Sequence, residues 1–434
     1  MTQPTRPSET IITPMGRVAA PWLAWPELLA VFDALAAAGH EARVVGGALR
    51  DTLRAHRLGQ SPPHDPDIDV ATTAQPSVVD AAAIAAGLET RPTGISHGTV
   101  TILSHHKTFE TTTLRSDLNT DGRMAEVVFT QDWLGDAQRR DFTVNAIYCD
   151  RHGEIYDPVG GLSDLQNGVI RFIGEPRDRI REDYLRTLRM FRLSAAMPEF
   201  VRDPSANLAV TAEHNGLKRL SGERIRKEMF SLLSGPGACD AFDAMRCAGV
   251  LTKLLPFAPQ PQRLRRTVQI EHVLEQPPDP VLRLVAACIA DPGDASRLAS
   301  RLKLSRLERH AALDLAHVVC NRTLRAQIQL VPRDVLYDLS SDQRERAVVL
   351  LHAADGAPPD SPKWQDIHRF AKNWRPPEFP IAARDLIRLG AESGPTLGNL
   401  VRDIETLWRK SDFSLERDQL LELAAQQINR SNDS

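Results

Sequence analysis

Aromatic residues make up only 5% of this 434-residue chain, and there are five cysteines. Cys149, Cys239, Cys247, Cys288 and Cys320 are widely spaced, with no C-x-x-C pair. An odd, scattered set does not build a disulfide framework, nor does it supply a structural zinc site. Buried thiols in a reducing compartment are the expectation. No apolar run reaches the roughly 20 residues that span a bilayer, and the N-terminal stretch has no continuous hydrophobic segment of the signal-peptide kind. We therefore expect a cytoplasmic protein with no membrane association. An excess of one charge is also missing, since 53 basic and 56 acidic residues leave a formal net charge of -3. With that balance, a partner of nucleic acid must gather its positive charge locally. The Lys-Ser/Thr of a Walker A loop, the G-x-G-x-x-G dinucleotide signature, and the G-x-S-x-G and H-E-x-x-H hydrolase motifs are absent too.

Apolar residues reach 42%, enough for substantial cores, and the length suits two to four domains. Residues 1–21 are polar, contain prolines and read as a flexible arm. LLAVFDALAAA, ended by Gly39, reads as an amphipathic helix. ARVV at 42–45 reads as a strand running into Gly46-Gly47, followed by a helix over ALRDTLRA. DIDVAT at 67–72 alternates like a strand. TVTILSH at 99–105 and TFETTTL at 108–114 read as neighbouring strands turning at His106-Lys107, and polar residues 115–126 read as a loop. FTVNAIY after Arg139-Arg140-Asp141 is strand-like. Strand signals fade after Gly160-Gly161, and from Arg179 onward the pattern is helical, with one helix expected over 179–196.

Asp67 and Asp69 stand at i and i+2, so period-2 geometry aims both carboxylates one way. Two like charges that close call for a cation, and hard oxygen ligands suit Mg²⁺. Glu110, a lone acid inside a strand-like segment, is the candidate third carboxylate. Gly46 and Gly47 let backbone approach a ligand, and the helix N-terminus that follows favours phosphate. Arg50 on its first turns can add a charge-assisted contact, with Asp51 orienting Arg50 or helping the metal site. Arg139 and Arg140, just before Asp141, suit triphosphate, ribose or base, and Asn145 can touch ribose or pin local backbone. In RIREDYLRTLRMFR, residues 179, 182, 186 and 189 would form one helical stripe, with Leu185, Leu188 and Phe191 in the core.

The ordered set VVGGALRD, DPDIDVAT, HGTVTI, FETTTLR, RRDFTVNAIYCD, DPVGGLSDL and RIREDYLRTLRMFR over residues 42–192 resembles the class II tRNA nucleotidyltransferase and bacterial poly(A) polymerase family. That family lies within the polymerase-β-like nucleotidyltransferase superfamily. The resemblance implies an α+β fold, a small mixed-sheet nucleotidyltransferase head followed by an elongated all-helical neck, body and tail. Its implied bounds are an arm at 1–21, a catalytic head at 22–165, a base-recognising neck at 166–235, a body at 236–354 and a tRNA-contacting tail at 355–434. It implies that Asp67 and Asp69 bind the metal, with Glu110 as third carboxylate. Gly46, Gly47 and Arg50 would lie by the triphosphate, and Arg140 and Asp141 by ribose and base. Asp183 and Arg186, with Arg189 nearby, would read the Watson–Crick edge of CTP or ATP. Loop 115–126 would take part in switching from C to A. The implied reaction adds C, C and A to the tRNA 3′ end, with no obligatory protein partner. GISHGTVTI lacks the basic-aromatic G-R-R-F-like cluster of the poly(A) polymerase branch, which favours tRNA end-building over poly(A) addition. The presence of RSDLNTDGR speaks against a CC-only enzyme.

Overall fold

The computed structural model describes residues 15–94, 98–118, 126–255 and 257–432. It comprises two compact units, Met1–Leu255 and Pro256–Ser434.

The first unit carries the sheet. Helix α1 (Pro26–Ala37) starts with proline at its first position, where no N–H partner is needed, and buries Leu28, Val31, Phe32 and Leu35 at helical spacing. Strand β1 (Ala42–Val45) runs through Gly46 into α2 (Gly47–Arg57). Then come β2 (Asp69–Thr72), α3 (Pro76–Ala85), β3 (Glu89–Gly94), β4 (Thr99–Ser104) and β5 (Lys107–Thr113). A short ribbon, β6 (Arg115–Leu118) with β7 (Glu126–Phe129), precedes α4 (Trp133–Gln138), β8 (Tyr148–Cys149) and β9 (Ile155–Tyr156). Seven strands form one sheet in the order β3-β4-β5-β2-β1-β8-β9. The β2–β5 pair is parallel, and the other pairs described in this sheet are antiparallel. This is the mixed sheet that the sequence implied.

Four sequence expectations change. Residues 1–14 of the expected arm lie outside the described residues. From Met15 the chain is tied to the head: Met15 N–H donates to the Ile155 carbonyl at 2.7 Å, and Val18 N–H donates to that of Gly153 at 2.8 Å. The expected loop 115–126 has a paired stem, since Arg115–Leu118 is in register with Glu126–Phe129, while residues 119–125 lie outside the described residues. A ladder is held by backbone groups, so polar composition does not forbid it. FTVNAIY is a 3₁₀ turn at Thr143–Asn145 followed by the two-residue β8, not one strand. Finally, the helix expected over 179–196 is two helices, α6 (Pro176–Glu182) and α7 (Leu185–Ala196), after α5 (Gly161–Asn167). Asp183 between them has extended backbone, φ −149° and ψ 105°, and its Oδ1 accepts from Leu185 N–H at 3.0 Å. Aspartate competes well for such capping positions and poorly for helix interiors. The expected single helix is therefore broken, although Arg179 and Arg186 still meet at Glu182, and Leu185, Leu188 and Phe191 are buried as foreseen. Helices α8 (Pro204–Glu213) and α9 (Gly222–Ser234) follow, and two more short helices complete the unit.

The second unit is helical throughout its described residues, from Pro261 to Asn432. Its helices are punctuated by caps such as Ser305 with Glu308 and Ser340 with Gln343. One core gathers Val348, Leu351, Trp364 and Ile367, and another Ile404, Trp408, Leu420 and Ala424. Beside the first core lies a buried histidine pair. His352 Nε2 is 3.0 Å from the Pro358 carbonyl, which can only accept, so Nε2 carries the proton. His352 Nδ1 then accepts from His368 Nε2 at 3.2 Å, and the His352 ring stacks on Trp364 at 4.6 Å. Both rings can therefore stay neutral with these contacts made. Burial lowers both pKa values, that of His368 to about 3, with the Pro358 hydrogen bond and then Asp355 partly offsetting the shift at His352. A histidine lowered on folding contributes stability that is complete above its ordinary value of 6.5 and is lost as pH falls below it. The denaturant midpoint, followed by fluorescence, should decline from pH 7.5 to 5. His368→Gln should flatten that slope, and an unchanged slope would show that other groups set it.

Candidate active site

The sheet delivers the carboxylates to one place. The parallel register pairs Asp69 with Glu110, so both project from the same face of adjacent strands. Asp67 precedes β2 and opens onto the same cleft, whose volume is about 790 Å³. Burial, then Glu110, then Asp67 push the Asp69 carboxyl up to about 6, with Arg140 pulling the other way. Carboxylates facing one cleft and raising one another's affinity for protons favour a cation there. Among the described residues, no three acidic, histidine or cysteine side chains lie close enough to cage an ion unaided. That suits Mg²⁺, which binds through one or two carboxylates and takes its remaining oxygens from water and phosphates. The donor set therefore fits the ion.

Gly46 turns β1 into α2 with φ +85°, and a Cβ there would lie 3.3 Å from Asp69 Oδ2. Glycine is required both by the backbone conformation and by the closeness of the carboxylate. One turn into α2, Arg50 is held by Asp51 through two bonds of 2.8 and 2.9 Å. Of the two roles open to Asp51, it takes the orienting one. The third Arg50 contact is Nη1 to Asn145 Oδ1 at 2.7 Å, and Asn145 Nδ2 donates to Asp141 Oδ1 at 3.3 Å. Asp141 Oδ1 also accepts from its neighbour Phe142 N–H, and Asp141 Oδ2 lies 3.1 Å from Arg189 Nε. Asn145 thus links Arg50 to Asp141 while lining the cleft.

Asp136 is the residue that the sequence reading overlooked. It is 1% exposed. Arg139 donates to its Oδ1 at 2.8 and 2.5 Å, Arg140 to its Oδ2 at 3.2 and 2.9 Å, and the Tyr148 hydroxyl to Oδ2 at 2.8 Å. Burial alone would raise this carboxyl, but Arg140, Arg139 and Tyr148 outweigh it and hold it below its ordinary range. The cue lay in DAQRR, where an acid on a short helix precedes two arginines by three and four residues.

The helix break sits against this segment. Arg179 donates to the carbonyls of Arg139 and Arg140 at 2.6 and 2.7 Å, and Arg186 to that of Arg139 at 3.3 Å. Arg186 also reaches Glu182 and the Arg179 carbonyl. Arg224 from α9 donates to Asp183 Oδ2 at 2.6 Å. All the residues foreseen for the site line the one cleft: Gly46, Gly47, Arg50, Asp67, Asp69, Glu110, Arg140, Asp141, Asn145, Asp183, Arg186 and Arg189. Arg115, Arg139, Arg192 and Lys227 join them, so basic side chains outnumber acidic ones in the cleft although the chain as a whole is slightly acidic.

Tyr184, next to Asp183, lies on Gly216 so closely that a Cβ there would be 1.9 Å from its ring. Gly216→Ala must therefore displace Tyr184 and with it the helix break. We expect a destabilisation of about 1–3 kcal/mol in denaturant unfolding, as for other overpacked sites. Nucleotide KM should rise more than for an alanine placed at Gly398, which has open space around it and ordinary backbone. Equal effects at the two sites would detach Tyr184 from the break.

A profile described as the poly A polymerase head domain matches residues 42–171, and one described as the probable RNA- and SrmB-binding site of polymerase A matches residues 203–260. The CCA tRNA nucleotidyltransferase 1, mitochondrial, of Mus musculus is 33% identical over 407 residues, covering 91% of this chain and 88% of that protein. Its Homo sapiens counterpart is 34% identical over 396 residues, covering 88% and 86%. The crystal structure of the Bacillus stearothermophilus CCA-adding enzyme in complex with CTP aligns with a TM-score of 0.71 at 27% identity, over 94% of this chain and 98% of that one. Carboxylates on paired strands, a Gly-Gly turn beside them and an arginine-braced helix break thus coincide with similarity along nearly the whole chain, which belongs to the CCA-adding class II nucleotidyltransferase family.

Proposed function

We propose that this protein adds C, C and A to the 3′ end of tRNA from CTP and ATP, releasing pyrophosphate. The observation that carries this reading is that the acidic triad and the Asp183–Arg186 break open onto one cleft, so that the reacting phosphate and a base-reading edge can serve one nucleotide. The RNA 3′-hydroxyl attacks the α-phosphate in line and pyrophosphate departs. Asp67 and Asp69, with Glu110 at their flank, would hold Mg²⁺, which would supply the charge that acidifies the hydroxyl and steadies the developing negative oxygens. The α2 N-terminus behind Gly46 and Gly47, with Arg50, receives the triphosphate. Arg140, fixed by Asp136, and Asp141 face ribose and base.

Base choice follows from hydrogen-bond polarity. Cytosine and adenine each offer an exocyclic amino donor beside a ring-nitrogen acceptor. The Asp183 carboxylate accepts from the first and the Arg186 guanidinium donates to the second. Uracil and guanine present a carbonyl where the amino group should be, which sets oxygen against carboxylate and leaves buried groups unpaired. Residues 115–126, which include the paired stem, take part in the switch from C to A. The tail at 355–434 contacts the tRNA. We place the enzyme in the cytoplasm, acting without an obligatory protein partner; no described helix is long and apolar enough to cross a membrane.

The test is incubation of the purified protein with Mg²⁺ and tRNA transcripts ending before CCA, after C and after CC. CTP and ATP are supplied singly and together, and products are resolved to the nucleotide. Addition that halts at CCA is expected. A lengthening ATP-only tail would make it a poly(A) polymerase, arrest at CC or dependence on a CC end would make it a partial-CCA enzyme, and no addition would remove the assignment.

A further inference from the structure

Asp67 stands outside the ladder. Strand β2 begins only at Asp69, and residues 58–68 between α2 and β2 form no helix or strand, so sheet pairing does not fix Asp67 as it fixes Asp69 and Glu110. A second cavity of about 270 Å³ shares Asp67 with the main cleft. There Lys107, the first residue of β5, donates from Nζ to Asp65 Oδ1 at 2.5 Å. The same Nζ lies 3.8 Å from the ring centroid of Trp25, the residue that caps α1. The Lys107 side chain is 21% exposed while its partner Asp65 is 71% exposed, so the ammonium is gathered in against the ring rather than extended into water. From Asp65 the connection to Asp67 is short and stiff. Pro66 locks one backbone dihedral between them, and Ile68, 1% exposed, anchors the far side.

We propose that Lys107, backed by Trp25 and acting through Asp65, is a positioning residue that holds Asp67 in register with Asp69. An exposed ion pair by itself contributes little to stability. Joined to a cation–π contact and placed two residues from a carboxylate that no ladder constrains, its effect falls on geometry instead. Lys107 also begins the strand that carries Glu110 three residues later, so a single strand orients two of the three acids. This inference rests on the reading of Asp67 as a metal carboxylate.

The experiment uses the full chain, with Mn²⁺ as the probe ion. Its affinity for the protein–CTP complex is read directly by electron paramagnetic resonance of the free ion, beside turnover and CTP KM. For Lys107→Met we expect a kcat about tenfold lower and Mn²⁺ affinity about fivefold weaker, with CTP KM within twofold of the parent, in line with the cost of slightly misplaced reacting groups. Asp65→Asn should give the same signature, the double variant little more, and Lys107→Arg should recover most of both losses. Parent-like kcat and Mn²⁺ affinity in Lys107→Met would overturn the clamp, as would a loss shared equally by CTP KM with Mn²⁺ binding intact. Asp67→Asn separates the two levels: if it stays active, the metal reading of Asp67 fails and the clamp with it. If it is inactive while Lys107→Met is normal, the clamp alone fails.

Discussion

Replacing Asp69 by asparagine should abolish nucleotide addition while making the metal-free protein harder to unfold. The rate should fall by about a thousandfold, the order of 4 kcal/mol in transition-state stabilisation, because a neutral amide cannot share a divalent ion with Asp67. Stability moves the other way. The Asp69 carboxyl is raised from an ordinary 3.8 to about 6 by burial and by its acidic neighbours. A carboxyl raised on folding contributes stability that is present below the ordinary value and lost as pH rises through the folded one. Near pH 7 without metal, the parent protein bears that loss in full, and Asp69→Asn does not. Thermal unfolding at pH 7 without divalent ions should place the variant above the parent, with the gap closing by pH 4. Added Mg²⁺ should then raise the parent's melting temperature and leave the variant's unchanged. An equal Mg²⁺ response in both would take Asp69 out of the ion's ligand set.

Asp136 should be the most damaging single position that touches neither metal nor nucleotide. Its one carboxylate is the counter-charge for Arg139 and Arg140 in a nearly dry setting. Truncating one partner of a buried ion pair leaves the other charge uncompensated, at a cost of about 3–5 kcal/mol. Asp136→Ala should lower the denaturant midpoint accordingly. In the folded fraction, CTP KM should rise by about 10–100-fold, the arginines having lost the group that sets their direction. Tyr148→Phe removes a neutral hydroxyl that donates to the same oxygen and accepts from Arg140 Nε but leaves the counter-charge in place, at about 1–2 kcal/mol with a smaller change in KM. If both substitutions raised KM alike, the tyrosine hydroxyl rather than the charge would be orienting the arginines.

The parts of the site that alternate locally could be read from the chain. ARVV and the turn through Gly46-Gly47 declared themselves by β-branched residues and glycine, and the i, i+2 spacing of Asp67 and Asp69 by strand period. The choice of Glu110 rested on an acid in a strand-like segment. What puts it opposite Asp69 is the parallel pairing of β2 with β5, a long-range event that no local pattern encodes. The helix break at Asp183 was hidden because 3.6-residue periodicity runs through it on both sides, and only the capping preference of aspartate marks the interruption. Asp136 was passed over because an acid near arginines on a helix is ordinarily a wet ion pair. Its burial comes from the packing of Trp133, Ala137 and Tyr148 around it, and that is tertiary. Loop composition misled at 115–118 for the opposite reason, since backbone pairing leaves no trace in side-chain polarity.

The grip of Arg179 and Arg186 on the carbonyls of Arg139 and Arg140 has an asymmetric heredity. Every amino acid brings a carbonyl, so codons 139 and 140 can drift through any side chain without touching this seam, whatever they do to the chemistry in the cleft. Codons 179 and 186 have no such latitude, because only a long forked donor spans the gap. One side of the joint is open to variation and the other is closed to it, so a lineage exploring new nucleotide preferences can rewrite the lining of the cleft before it can unfasten the helix break from the head.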